Sequence, residues 1–240
     1  MKFLLICILT GFAVQLSAQT TIINDPNAKS RTITGSFNAV SVSNGIELFL
    51  TQGTEVSLAV SASEAKYEER IKTVVENNVL KIYFENAGIT WVNEKKRSLK
   101  AYLSFKALEK IIARSGSSVK AAETLHFTNL ELTINSGALV RVSLKANEIS
   151  VKGDSGAEAD LTGASEKVNV NVSSGAFFKG FNFKTAYCTA KASSGGSVKI
   201  NIENELSASA NSGGVIRYTG SAVIKDINVN SGGSVKKSTI

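Results

Sequence analysis

Very little of this 240-residue chain is of the kind that staples or interrupts a small protein: two cysteines, one proline, one histidine, one tryptophan and one methionine. Cys7 falls inside an apolar N-terminal run, so removal of that run leaves Cys188 alone and no intrachain disulfide can form. Packing has to hold the fold even in an oxidising compartment. A hydrolase triad requires a histidine, and His126, set between Leu125 and Phe127, reads as a loop or rim residue instead. The chain also lacks an apolar run of the roughly 20 residues that a spanning helix demands. The stretch from Phe3 to Val14 is shorter; preceded by Lys2 and followed by Ser17-Ala18-Gln19, it has the form of a secretory signal. Residues 1–18 are therefore expected to be removed on export. Residues 19–30 are expected to be a polar, flexible leader, and the mature protein to lie in the periplasm, on the outer surface or outside the cell. Against 27 basic residues stand 20 acidic ones, a moderate surplus that does not by itself imply a polyanionic partner.

What the chain does have is repetition. Ser-Gly followed by a small residue occurs at Ser115-Gly116, Ser136-Gly137, Ser155-Gly156, Ser174-Gly175, Ser194-Gly195, Ser212-Gly213 and Ser231-Gly232, at spacings of 18 to 21 residues. Such regularity marks a solenoid period. Four residues after each serine stand Val119, Val140, Ala159, Phe178, Val198, Ile216 and Val235, all apolar. Two and four residues before the later serines the pattern is again mostly apolar, down to Val229 and Ile227 in the last copy, with polar residues between. Each repeat thus carries a half-buried strand on either side of its corner. Nineteen residues at about 3.3 Å each make a path of roughly 65 Å, one winding around a narrow core, and successive windings can pair their backbones in parallel. The expected fold is all-β, a β-solenoid over 115–240 packed continuously with an N-terminal β region over 31–114. Gly116, Gly137, Gly156, Gly175, Gly195, Gly213 and Gly232 are expected to supply the bends, both through positive φ and because a side chain would meet the neighbouring windings.

In the N-terminal region Ile33, Val40 with Val42, then Ile46, Leu48 and Leu50 alternate with polar residues, with Ser43-Asn44-Gly45 as a turn. Ser63 is placed to cap a short helix running from Glu64 towards Ile71. Val79 to Phe84 form a hairpin with the strand before Asn77-Asn78. Trp91, in an unpatterned segment, is either a stacking platform for a sugar or a ring folded back on the body.

The Ser-Gly-Ala and Ser-Gly-Gly repeats follow the segment Phe37-x-x-Val40-x-Val42-Ser43-Asn44-Gly45-Ile46-x-Leu48-x-Leu50-Thr51-Gln52-Gly53. The combination resembles the head GIN domain family of auto-transporter adhesins over roughly Ile33 to Val235. Here Gly45-Ile46 is followed by Glu47 rather than asparagine. The resemblance implies a right-handed β-helix-like roll, export in Bacteroidetes-type bacteria and an adhesin role; it supplies no catalytic residue and no cofactor. With five residues left after Val235, no translocator barrel is expected in this chain.

The search for chemistry returns little. Cys188 stands in register with Leu130, Ile149, Val168 and Leu206 and is expected in the core. The corner serines have neither a G-x-S-x-G context nor a base beside them and are expected to stack and hydrogen-bond along the coil. Asp154, Glu158 and Asp160 are the one acidic knot, without further carboxylates in register for calcium. One arrangement stands out. The residue five after each serine is Lys120, Arg141, Asp160, Lys179, Lys199, Arg217 and Lys236, basic in six copies of seven. Stacked, these make an outward ladder suited to an anionic polymer such as an acidic glycan or lipopolysaccharide core, with nucleic acid the least favoured; the plain alternative is a solvated face on which lysine discourages lateral aggregation. The expected function is a non-enzymatic exported adhesion or glycan-binding module. A carbohydrate-active β-helix enzyme and a purely structural envelope protein are the alternatives.

Overall fold

The computed structural model describes residues 25–86 and 97–239. The expected signal peptide, the leader up to residue 24 and Trp91 lie outside these residues. The described elements are β1 (Lys29–Arg31), β2 (Ala39–Val42), β3 (Glu47–Gln52), β4 (Ser57–Ser61), α1 (Ala65–Glu68), β5 (Ile71–Glu76), β6 (Val79–Phe84), β7 (Lys100–Phe105), β8 (Lys110–Ala113) and β9 (Ser118–Ala121). They continue as β10 (Leu125–Ile134), β11 (Leu139–Gly153), β12 (Glu158–Val172), β13 (Phe177–Ala192), β14 (Ser197–Ala210), β15 (Val215–Thr219), β16 (Val223–Val229) and β17 (Ser234–Lys237).

Pairing sorts them into a solenoid with two faces. The front face runs β1-β4-β7-β3-β9-β11-β12-β13-β14-β15-β17. The back face runs β5-β6-β2-β8-β10 and then through the second halves of β11 to β14 to β16. Among the described strands only the pairs at the N-terminal end, β1–β4, β4–β7 and β5–β6, are antiparallel. Strands β11 to β14 pass from front to back without a turn. Their in–out alternation lapses near residues 146–148 and 165–167, where the chain bends. Buried Ser165 and Thr185 line the bend and donate their hydroxyls to the carbonyls of Lys167 (3.2 Å) and Tyr187 (3.1 Å), so these polar side chains stay satisfied.

The other edge is made by the Ser-Gly corners. Serine and glycine both have positive φ, 47–53° at the serines and 68–74° at the glycines. The third residue closes the turn, as when the Ala138 N–H donates to the Asn135 carbonyl (3.2 Å). Two left-handed residues closed by such a bond make a type I′ turn. Successive corners are tied by main chain. The Gly116 N–H donates to the Ser136 carbonyl, Gly137 to Ser155, Gly156 to Ser174 and Gly175 to Ser194, each at 3.0–3.1 Å. The expected bonding of serines along the coil is thus present, but the serine carbonyl rather than its hydroxyl carries it. The steric half of the glycine argument fails: a Cβ on Gly116, Gly137, Gly156, Gly175, Gly195 or Gly232 would meet nothing within 4 Å, and Gly213 only a backbone nitrogen at 4.0 Å. Positive φ is what selects glycine there. Close approach falls one residue later, where a Cβ on Gly214 would lie 2.2 Å from the Ala192 carbonyl oxygen.

The expected inward positions are buried from Val119 to Ile216, and Cys188 is in the same core. Phe84, Phe105, Phe178 and Phe183 are fully enclosed in it, each stabilising by about 1.5–3 kcal/mol relative to exposure. In the last winding the pattern breaks, because no further coil covers Ile227 (43% exposed) and Val229 (44%).

Several N-terminal expectations are revised. The helix is only Ala65–Glu68; its N-cap is Glu64 rather than Ser63, with no side-chain cap, and the Ser63 N–H donates to the Arg97 carbonyl (2.8 Å). Ile33 lies outside any strand. The end of the supposed leader is held rather than loose: β1 pairs with β4, and Asp25 accepts from Ser61 and Tyr102, both at 2.7 Å. Buried Glu68 takes ion pairs from Lys29 (2.6 Å) and Arg31. The expected hairpin is present, β5 and β6 turning at Asn77 and Asn78, both with positive φ.

Candidate binding face

The fifth residues after the corners form one cross-strand file on the front face. Lys120 pairs with Arg141, Arg141 with Asp160, Asp160 with Lys179, Lys179 with Lys199, Lys199 with Arg217 and Arg217 with Lys236. Parallel strands set these positions about 4.8 Å apart. Beyond Lys120 the file continues through Phe49 to Tyr102, whose rings stack at 5.1 Å. Lys120 lies 5.9 Å from the Phe49 ring centre. These aromatics escaped the sequence reading because their coil was not recognised as a repeat. The missed signal is Asn44-Gly45: both residues have positive φ, and the Gly45 N–H donates to the Ser115 carbonyl (3.1 Å), so this turn is one more corner beneath the seven. Glu47 and Phe49 then hold the third and fifth places.

The file is uneven in charge. Lys120 pairs with Glu47, Arg141 with Asp160 (2.9 Å), and Lys179 with Glu158 (2.7 Å). Lys199, Arg217 and Lys236 meet no acid among the described residues. The uncompensated charge is therefore gathered at the C-terminal end. Beside it the surface is shaped by the 20-residue coil between Ser174 and Ser194, whose register shifts between Gly180 and Lys184. That irregularity brings Phe181 and Asn182 to the surface, and with Asp160, Lys179 and Lys199 they line a shallow depression of about 200 Å³. The Lys199 ammonium sits 5.9 Å from the Phe181 ring centre, and Phe177, four residues earlier on β13, is 45% exposed. The bulge, marked in the sequence only by one extra residue in its coil, was the other missed feature.

Elsewhere the candidate chemistry is dispersed or occupied. Asp154 stays at its corner, accepting from the Ser155 N–H (2.8 Å) and the Ser173 hydroxyl (3.0 Å). Hydrogen bonds from Ser174, Ser173 and Ser155 hold its carboxyl below the usual range, while Glu158 and Asp160 turn to Lys179 and Arg141. Among the described residues no group of three or more metal-ligating side chains gathers. Burial pushes the Cys188 thiol up to about 12. His126 lies on a broad groove of about 880 Å³ with Glu109, Phe127, Glu131, Glu148 and Lys152. Its main chain is gripped there by the Gln52 amide, which accepts from the N–H (2.7 Å) and donates to the carbonyl (2.8 Å). Lys110 (3.1 Å) and Lys152 (3.6 Å) hold the Glu131 carboxyl below the usual range, which keeps it ionised rather than poised as an acid. Trp91 is outside the described residues.

Residues 36–222 match the family model described as "Putative auto-transporter adhesin, head GIN domain". The chain belongs to the head GIN domain family. Among solved structures, a "putative adhesin" from Bacteroides fragilis is 18% identical, with a TM-score of 0.78 over 88% of this chain and 96% of that one. A "putative adhesin" from Parabacteroides merdae is 16% identical, with a TM-score of 0.68 over 90% and 98%. A "putative lipid binding protein" from Parabacteroides distasonis is 17% identical, with a TM-score of 0.64 over 90% and 98%. At these identities the likeness is one of fold. No curated protein matches the chain. Among the described residues no helix of this head GIN protein is long and apolar enough to cross a membrane.

Proposed function

We propose that this protein is an exported, non-enzymatic adhesion module that binds an anionic cell-envelope polymer, an acidic glycan foremost, along the C-terminal end of its front-face file. The observation that carries this reading is the cross-strand run Lys179, Lys199, Arg217 and Lys236, acid-compensated only at its first member. Unit charges about 5 Å apart repel by nearly 1 kcal/mol even in water, and a line of carboxylates or sulfates relieves that repulsion. Phe177 and Phe181 offer apolar surface to sugar rings alongside the charge. The family's adhesin description supports export and adhesion, and Trp91 is a further proposed stacking platform. Binding is tested by retention on heparin and on purified envelope polysaccharide near physiological salt. Lys199→Glu with Arg217→Glu is expected to abolish retention. Lys152→Glu with Lys191→Glu, on the back face, changes net charge equally and is expected to retain most of it. Equal retention by both double variants would leave the front face a solvated or structural surface.

A further inference from the structure

The two ends of the solenoid differ. At the N-terminal end, β1 and β4 close the front face with antiparallel pairing, β5 closes the back face in the same way, and Tyr67 of α1 is buried with its ring 6.5 Å from Phe84. At the C-terminal end, among the described residues, β16 pairs only with β14 and β17 only with β15, so each leaves a strand edge unpaired. Every residue of β16 is exposed. Ile224, Ile227 and Val229 nevertheless stand in the inward register of Leu206, Ala208 and Ala210, and Val235 in that of Ile216. An open core flanked by two free edges is what a solenoid normally covers with a cap.

We propose that a second copy of this chain covers this end, tail to tail, in a closed dimer whose two-fold axis runs along the strand direction. The N-terminal end presents only the three-residue edge of β1 and the edge of the antiparallel β5, over a core that Tyr67 and Phe84 already fill, so the surface that matches an open core is another tail and assembly stops at two. Two antiparallel arrangements are then geometrically open. An axis normal to the faces lays β17 on β17 and brings the Lys236-Lys237 pairs of both copies into one seam. An axis along the strands lays β16 of each copy on β17 of the other and sets the Ser231-Gly232 corners over one another. With inward positions matched to inward ones, Val235 then lies across from Ile227 of the second copy, and Lys236 across from Asp226. The Lys236–Asp226 pair, formed once in each seam, selects this second arrangement; the next position sets Lys237 across from Lys225, whose charge Glu205 already meets at 3.1 Å, and the arrangement encloses the exposed Ile224, Ile227 and Val229 of both copies.

Sedimentation velocity of the purified protein at micromolar concentration tests this, with circular dichroism to verify that each variant is folded. A dimer is expected, and Ile227→Lys, at an already exposed site, is expected to give a monomer. Asp226→Lys and Lys236→Asp singly put like charges into both seams at once and are expected to weaken the dimer about tenfold or more; together they are expected to restore it. A monomer at all concentrations, an open-ended series of oligomers, or a dimer insensitive to Ile227→Lys would overturn the proposal. Failure of the double reversal to restore association would overturn the β16–β17 seam.

Discussion

Two glycines nineteen residues apart separate the two reasons a repeat can demand glycine. Gly195 has φ +73° and open space around its missing Cβ. Gly195→Ala therefore costs only the left-handed backbone penalty, about 1 kcal/mol. At Gly214 φ is not in the left-handed range, but a Cβ would sit 2.2 Å from the Ala192 carbonyl oxygen and 2.5 Å from its carbon. Those atoms are backbone and belong to the coil ladder, so they cannot swing aside. Gly214→Ala must push two windings apart, at the upper end of the 1–3 kcal/mol typical of overpacking, about 3 kcal/mol. For a domain of this size 1 kcal/mol moves Tm by about 2–4 °C, giving losses of about 2–4 °C for Gly195→Ala and about 6–12 °C for Gly214→Ala. Thermal melts followed by circular dichroism read both directly. Equal losses, or a greater loss at Gly195, would refute the assignment of φ to the corner and of contact to the residue after it.

Two further outcomes are expected. With its thiol pushed up to about 12 by burial, Cys188 should ignore a thiol reagent at pH 8 in the folded protein and react fully in denaturant; rapid reaction under native conditions contradicts its place in the core. Hydrogen bonds from Ser61 and Tyr102 hold the Asp25 carboxyl below 3.8, so its contribution is present above the unfolded value and fades as pH falls through the folded one. The gap in urea midpoint between wild type and Asp25→Asn should therefore be larger at pH 6 than at pH 3, and a gap unchanged by pH counts against it.

The repeat was legible because its signal is local. A type I′ corner restricts two adjacent residues, and each inward position repeats at a fixed offset, so the file from Lys120 to Lys236 follows from spacing alone. The corner at Asn44-Gly45 was hidden by the insertion of β4 to β7 between it and Ser115, and by asparagine standing where the others have serine, although both residues take the same left-handed conformation. Phe49 and Tyr102 were lost with it. What the file does electrically was not legible either. Glu47 and Glu158 neutralise Lys120 and Lys179 from the third position, a fact of side-chain reach rather than of spacing. The bulge in β13 that lifts Phe181 is written only as one extra residue in its coil.

The main-chain bonds that tie each corner to the next lie along the long axis of the stack, and this sets how the molecule answers a pull. A load on the C-terminus of a single copy opens one winding at a time from that end, each releasing roughly 65 Å of chain. Extension should therefore appear as a train of similar small steps, ending at the antiparallel strands near the N-terminus. Lys236 and Arg217 lie in the first windings to open, so a pull from this end would dismantle the C-terminal part of the file before it reached the N-terminal coils.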